Sequence, residues 1–363
     1  MCSSIWGLAQ GFHYYDENFL NIEAETMSYL LSRVVNLFFS LSDFFVQYGY
    51  GGEKRVASTL NKTAFKWLEK NHKQPFFLFI NYFDPHFPYA PPPPYKSYFG
   101  KMDKNIISRI NPPGDVSCTG AMGRLADTVI NNNHRLTPIE KEFIVSQYDG
   151  EICYLDHCLG LLFEQLKALD IYDKTLIIVT ADHGEAFGEH DQMYHGMTLY
   201  EEVLRVPLII KYPVTSYRQG VVARKVSLVD LFPTVLSFLD YPIPSGIDGE
   251  VLDNSEHPII AENYPYSVNV MLYGKRFMRN LKAIYEGKEK FIWASNAFNE
   301  LYDLEKDPGE QENLIAKFPP KAQVMQKMLQ KYAVSITPSK VKRETVKIDK
   351  STEEKLRALG YVR

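Results

Sequence analysis

Apolar positions along this chain fall into two rhythms that alternate. From Glu142 to Leu169 the residues Ile144, Tyr148, Ile152, Leu155, Leu159, Leu162, Leu166 and Leu169 advance by three or four positions, which predicts a long amphipathic helix. Val56, Leu60, Ala64, Trp67 and Leu68 predict a second helix over Arg55 to Lys70. A third is predicted over Val226 to Leu239, with Pro233 near its first turn. Between these lie short continuous apolar runs: Phe76 to Ile80 within Pro75–Phe83, Leu176 to Val179, and Val206 to Ile210. Runs without polar alternation read as strands covered on both faces, as in a parallel sheet. A helix leading directly into such a strand is the unit of a doubly wound α/β fold.

The rhythm changes near Tyr266. Val268–Leu272, Phe277–Tyr285, Phe291–Ala294 and Leu301–Leu304 read as short strands with turns at Gly274 and at Glu286-Gly287-Lys288, an antiparallel meander. Pro258 to Asn263 reads as a further strand. The expected division is therefore a larger domain over residues 1–265 and a smaller C-terminal subdomain over 266–363. Ala90 to Thr137, rich in Pro, Gly, Asn and Lys, is too long for a simple connector. The most apolar window, Val34 to Tyr48, contains Asn36, Asp43 and Gln47 and falls short of the ~20 residues a membrane span needs, so it reads as a buried helix.

Candidate chemistry lies where the predicted strands end. Leu176–Val179 stops in Asp182-His183-Gly184-Glu185, and open α/β sheets hold their ligands outside the carboxyl ends of their strands. A carboxylate and an imidazole on adjacent residues can both face one divalent cation, and Gly184 lets the backbone turn away. Glu189, His190, Asp191 and His195 follow before the next strand. The run Phe76–Ile80 likewise ends in Asp84-Pro85-His86-Phe87-Pro88-Tyr89, a histidine held between two prolines.

Composition changes this picture little. The 363 residues are 45% hydrophobic and 23% charged, an ordinary globular balance, and the net charge of −4 points to no nucleic-acid partner. The four cysteines, Cys2, Cys118, Cys153 and Cys158, show no metal-finger or redox spacing. Cys153 and Cys158 should point to different faces of their helix and form no bridge. The N-terminus shows no basic region followed by an apolar run and cleavage site, and the compartment stays open.

The segment Thr180-Ala181-Asp182-His183-Gly184-Glu185, with Gly188-Glu189-His190, His195-Gly196, Leu199-Tyr200-Glu201-Glu202 and Val206-Pro207-Leu208, resembles the sulfatase family of the alkaline-phosphatase superfamily. So do Pro85-His86-Phe87-Pro88-Tyr89, the helix around Tyr148–Asp156, Glu300-Leu301-Tyr302-Asp303-Leu304 with Asp307-Pro308, Glu310 and Asn313-Leu314, and the chain end Leu356–Val362. Gly7 to Glu17 resembles the family segment that follows its first catalytic stretch. The resemblance implies an alkaline-phosphatase-like α/β fold, a mixed sheet flanked by helices, with a smaller C-terminal antiparallel α+β subdomain. It implies metal-dependent hydrolysis of sulfate esters, on a sulfated small molecule or glycan. Asp182 and His183 would bind the metal, with Ca²⁺ the expected ion. His86 and His195 would contact the ester oxygens as catalytic and substrate-binding groups, one protonating the leaving oxygen; His195 stands where many members have Lys. The Asp307-Pro308-x-Glu310 signature is structural in the family, and the region after Tyr89 borders the substrate cleft. Full-length members are often exported.

The family's nucleophile is a formylglycine made from the first residue of Cys-x-Pro-x-Arg, or from Ser in its place. No cysteine here has Pro two positions on, and no Ser begins such a run, so formylglycine is not encoded in this chain. No apolar strand near the N-terminus ends in the acidic pair that completes the family's metal site. Two expectations follow: a truncated sulfuric ester hydrolase lacking ~100 upstream residues, or a non-catalytic remnant or scaffold. A phosphate or phosphonate ester hydrolase of the same superfamily is a third, because that superfamily shares the Asp-His-Gly motif.

Overall fold

The computed structural model describes residues 56–100, 104–111, 118–131, 134–213, 219–254 and 256–335. The readings made for Gly7–Glu17, Val34–Tyr48, Lys340–Lys355 and Leu356–Val362 lie outside the described residues. Helix α1 spans Ala57–Asn71 and turns Ala64 and Leu68 inward. Its side chains do not cap its start; the buried Asp84 carboxylate instead accepts from Ala57 N at 3.0 Å, which satisfies one orphan amide and ties the helix to the loop that carries His86.

The long segment after Tyr89 is not a bare loop. It holds two helices, α2 (Lys104–Ile110) and α3 (Cys118–Ile130). Ile106, Ile107, Ala121, Met122, Leu125, Ala126 and Val129 bury themselves against Phe87, Tyr89, Phe143, Met193 and Met197. Helix α4 (Pro138–Ala168) is the longest element at 31 residues. It starts at Pro138, ahead of the expected Glu142, on a capping box: Thr137 Oγ1 accepts from Glu140 N at 3.4 Å, Glu140 Oε2 accepts from Thr137 N at 2.9 Å, and Pro138 occupies the first turn. Glu140, 3% exposed, also accepts from Arg109 at 2.6 Å and pairs with His134 at 2.8 Å. Cys158 faces the core and Cys153 is half-buried; both are free.

Strand β1 (Ile177–Thr180) leads into the short pair β2 (Ala186–Phe187) and β3 (Met193–Tyr194), a one-turn helix α5 (Glu201–Leu204), and β4 (Leu208–Lys211). The expected parallel arrangement is not what forms here. β1 and β4 pair antiparallel, with Ile177 opposite Lys211 and Thr180 opposite Leu208. An apolar run specifies burial, not direction, and the chain between these strands returns through a loop rather than a crossover helix. The pair is also half-covered: no residue of β1 or β4 is buried outright, and Ile209 is 62% exposed. Phe76–Ile80 is extended but joins no ladder among the described residues. Phe76, Leu78 and Ile80 turn toward Leu68, Leu162 and Leu166, while Phe77 and Phe79 face out. This is the period of two expected of strand backbone covered on one face only.

Helix α6 (Leu231–Phe238) follows a 3₁₀ turn at Leu228–Asp230. The C-terminal sheet has four antiparallel strands in sequence order: β5 (Ile259–Asn263), β6 (Leu281–Glu286), β7 (Glu289–Ala294) and β8 (Glu300–Asp303). Its first strand lies upstream of Tyr266. Gly287, at φ 57°, turns the tight β6–β7 hairpin. Val268–Leu272, expected as a strand, is instead part of helix α7 (Ser267–Tyr273). Val270 and Tyr273, three apart on one helix face, pack against the core that contains Phe277. Gly274 ends the helix at φ 93°. One face of the sheet packs Leu281, Ala283, Ile292, Ala294 and Tyr302 against Leu199, with Tyr200 and Leu204 alongside. The other packs Ile284, Phe291 and Leu301 against Ala322, Met325 and Leu329 of helix α8 (Pro319–Ser335).

Candidate functional site

Two loops far apart in sequence meet over the core of α2, α3 and the start of α4. The first leaves the extended Phe76–Ile80 segment. Phe87 and Tyr89 plug into that core at 7% and 1% exposure, which holds His86 between them and the buried Asp84. The Asp84–Pro85 and Phe87–Pro88 bonds are cis. The second loop leaves β1, and its Met193 and Met197 plug into the same core on either side of His195. Alternate apolar anchors thus fix both histidines without using them as packing groups.

The histidine rings converge. His86 and His195 lie 5.0 Å apart edge to face, and His195 stacks on His183 at 3.8 Å. His183 Nε2 is 3.7 Å from Asp182 Oδ1. The structure therefore brings His86, Asp182, His183 and His195 together. Each imidazole is oriented through Nδ1. His86 Nδ1 donates to the Phe87 carbonyl at 2.6 Å, and His183 Nδ1 to the Gly184 carbonyl at 2.8 Å. A carbonyl only accepts, so Nδ1 carries the proton in both, and His183 Nε2 is left as a lone pair suited to a cation.

Glu185 was not assigned a role from sequence, and it is the group that orients His195. Its side chain is 5% exposed, and its Oε1 accepts from His195 Nδ1 at 2.9 Å. Its Oε2 accepts from Tyr89 OH at 2.7 Å. Burial and the adjacent Glu185 carboxylate push the Tyr89 phenol well above its ordinary range, so it stays a donor. The available signal was its place three residues after Asp182 in a loop already crowded with polar groups. Gly184 matters for a reason other than a turn: a Cβ there would lie 2.2 Å from the Glu202 carbonyl, and its own amide donates to Val203 O at 2.7 Å. That close approach pins the Asp182–Glu185 segment onto α5.

Asp182 and His183 fit half of a cation site. Asp182 is 90% and His183 33% exposed, and both donors face the same side of the loop within reach of one ion. Among the described residues no third potential ligand atom gathers with theirs at metal-holding distances. The group of three that does gather is elsewhere: His190, Glu202 and Glu310.

Glu310, from the Asp307-Pro308-x-Glu310 signature, locks the site segment onto the C-terminal sheet. Glu310 Oε2 accepts from Glu201 N at 2.6 Å. Lys290 of β7, fully buried, lies 2.9 Å from Glu201 Oε1 and 2.8 Å from Glu310 Oε1, and Tyr285 OH donates to Glu201 Oε1 at 2.6 Å. Burial raises Glu310 against the pull of Lys290. Burial also pushes Glu202 up to about 7, with Glu310 and Glu189 adding to the effect against the opposing pull of Lys290.

The sulfatase family model matches residues 8–241, and a model of the N-sulphoglucosamine sulphohydrolase C-terminal region matches 188–337. Arylsulfatase K of Bos taurus is 30% identical over 285 residues, covering 70% of this chain and 51% of that protein. The multifunctional alkaline phosphatase superfamily protein PehA of Trinickia caryophylli is 30% identical over 214 residues, covering 56% of this chain and 40% of that protein. The chain thus spans about half the length, or less, of these two relatives. In fold it is similar to the phosphonate monoester hydrolase of Agrobacterium radiobacter, with TM-score 0.61, 21% identity, and coverage of 87% of this chain and 70% of that one. It is also similar to a protein solved with its substrate D-glucosamine-2-N,6-O-disulfate, with TM-score 0.58, 18% identity, and 80% and 71% coverage. The match to the family model runs through both histidine loops and the strands that carry them, and on that ground the chain belongs to the sulfatase family.

Proposed function

We propose that this chain carries the ester-binding and part of the metal-binding half of a metal-dependent sulfate ester hydrolase. The observation that carries the reading is the convergence of His86 and His195, with ring centres 5.0 Å apart, from loops more than a hundred residues apart in sequence. Two imidazoles beside a carboxylate–imidazole pair suit a tetrahedral ester anion next to a cation. Asp182 Oδ1 and His183 Nε2 would hold the divalent ion, with Ca²⁺ proposed; bound there, it supplies positive charge opposite the ester oxygens. His195, with Nδ1 committed to Glu185, presents Nε2 to the ester. The buried carboxylate orients the ring with Nε2 toward the ester, so His195 is the proposed donor to the leaving oxygen. His86 is the proposed contact to a sulfate oxygen. The proposed substrate class is a sulfated small molecule or glycan, a reading supported by the similar fold solved with D-glucosamine-2-N,6-O-disulfate.

The sequence holds no Cys-x-Pro-x-Arg, so the 363-residue chain is expected to bind an aryl sulfate without turning it over. Calorimetric titration with 4-nitrophenyl sulfate in Ca²⁺ should show binding that weakens at least about tenfold in His195→Ala and in Asp182→Ala, the loss expected for one charged contact. Binding unchanged in both variants would refute the shared site. The likeness to PehA favours a phosphate or phosphonate ester as the second reading, and titration with 4-nitrophenyl phosphate decides between them by which ester binds more tightly. Metal-dependent turnover by the chain alone, lost in Asp182→Ala, would mean that a nucleophile lies among residues assigned no role above.

A further inference from the structure

We propose that His190, Glu202 and Glu310 form a second divalent-cation site, selective for a borderline ion such as Zn²⁺, that is distinct from the Asp182–His183 pair and ties the histidine loop to the C-terminal sheet. One potential ligand atom from each of the three lies within 4.8 Å of the others. His190 Nε2 and Glu202 Oε1 are both shielded from solvent and neither has a hydrogen-bond partner. They face one another at 3.9 Å.

At that distance the two buried atoms face one another without a hydrogen bond. Ring orientation is fixed by stacking on Tyr200, with centres 3.6 Å apart and planes 13° off parallel. His190 is held in a left-handed backbone at φ 52°, a conformation uncommon for a residue other than glycine. An imidazole held by stacking whose Nε2 faces carboxylate oxygens has the donor set of a zinc ligand group. Ligands at the usual zinc distances of about 2.0–2.2 Å, arranged tetrahedrally, sit about 3.4 Å apart. Closing the observed 3.9 Å to that spacing needs a shift of roughly half an ångström.

Charge points the same way. Glu189, Glu300 and Glu310 lie near His190 and Glu202, with Lys290 the opposing cation, so acidic groups outnumber it around the three ligands. Lys290 does not exclude the ion. It approaches Glu310 Oε1 at 2.8 Å, and a carboxylate oxygen has two lone pairs, so it can serve the ammonium and a metal together. One nitrogen with carboxylate oxygens favours zinc over calcium, which takes six to eight oxygens.

The test uses the full chain, stripped with chelator, incubated with Zn²⁺ alone, desalted and analysed for bound metal, with melting temperature followed in parallel. The expected result is roughly one zinc retained per chain and a rise of a few degrees in melting temperature. Both should be lost in Glu202→Gln, which keeps the side-chain shape, and in His190→Gln, and both should persist in Asp182→Asn. No retained zinc in the native chain overturns the site whatever the variants do. Zinc lost in Asp182→Asn but kept in Glu202→Gln and His190→Gln overturns it as well, and assigns the metal to the histidine cluster.

Discussion

The β1–β4 pair and the C-terminal sheet are both antiparallel, yet they are built on opposite terms. In the C-terminal sheet, β6 and β7 place Ala283, Ile284, Phe291 and Ile292 at 0–2% exposure, and both faces are covered. In the two-stranded pair no side chain is buried outright, and Ile177 leans on the cluster of Leu162 and Leu166 of α4. The half-covered pair is the one that delivers Asp182 and His183. The site therefore rests less on its own ladder than on a long helix behind it and on the Glu201–Lys290–Glu310 knot that fastens its loop to the better-packed sheet.

The strongest way to break this contrast is Lys290→Met. It leaves the Glu201 and Glu310 carboxylates buried without their cation and should cost about 3–5 kcal/mol in urea unfolding. A shift below about 1 kcal/mol would show that the knot is not what joins the two regions. Leu301→Ala, at a residue 1% exposed, should cost about 3 kcal/mol by the same measurement. Thr137→Ala removes the cap of α4, the support of the weaker pair, and should cost about 1 kcal/mol.

A pH effect sharpens the comparison at the junction ahead of β5. Burial opposes charging of His257, but its 2.6 Å contact with the fully buried Asp230 carboxylate outweighs that and raises the imidazole above its usual value. A raised histidine stabilises the fold fully below its unfolded pKa of about 6.5 and loses that contribution as pH rises through the folded value. The stability advantage of the native chain over His257→Gln should therefore be greatest near pH 6 and shrink on the alkaline side. An advantage that grows with pH would reverse the assignment. Ile209→Ala, at a side chain 62% exposed, should stay within about 0.5 kcal/mol of the native chain. A larger loss would mean that this face is covered in solution.

Legibility followed the physics of each element. Helix α4 was readable from apolar positions recurring every three or four residues, but its start was set too late because the capping box at Thr137 was not read, and Ile152, placed on the apolar stripe, is 42% exposed. The antiparallel hairpin at Gly287 was readable because its turn and its strands agree. Direction was not readable for β1 and β4, since an uninterrupted apolar run carries burial but no partner. Val268–Leu272 misled because five residues fit both periods, and only the packing of Val270 with Tyr273 chooses the helix. At the site, His86, Asp182, His183 and His195 stood out by type and by position after apolar runs. Glu185 did not, because its role depends on Tyr89, 96 residues away in the chain. The pairing of His190 and Glu202 with Glu310 was hidden for the same reason.

Helix α4, at 31 residues and about 1.5 Å each, is a rod roughly 46 Å long. Its N-terminal turns lie in the core beneath His86 and His195, and its C-terminal turns support the strand that ends at Asp182. A single stiff beam thus underlies both the anion-facing and cation-facing sides of the cluster. Any tilt of that beam would move the two sides as one frame, leaving their spacing to be tuned by loop residues alone.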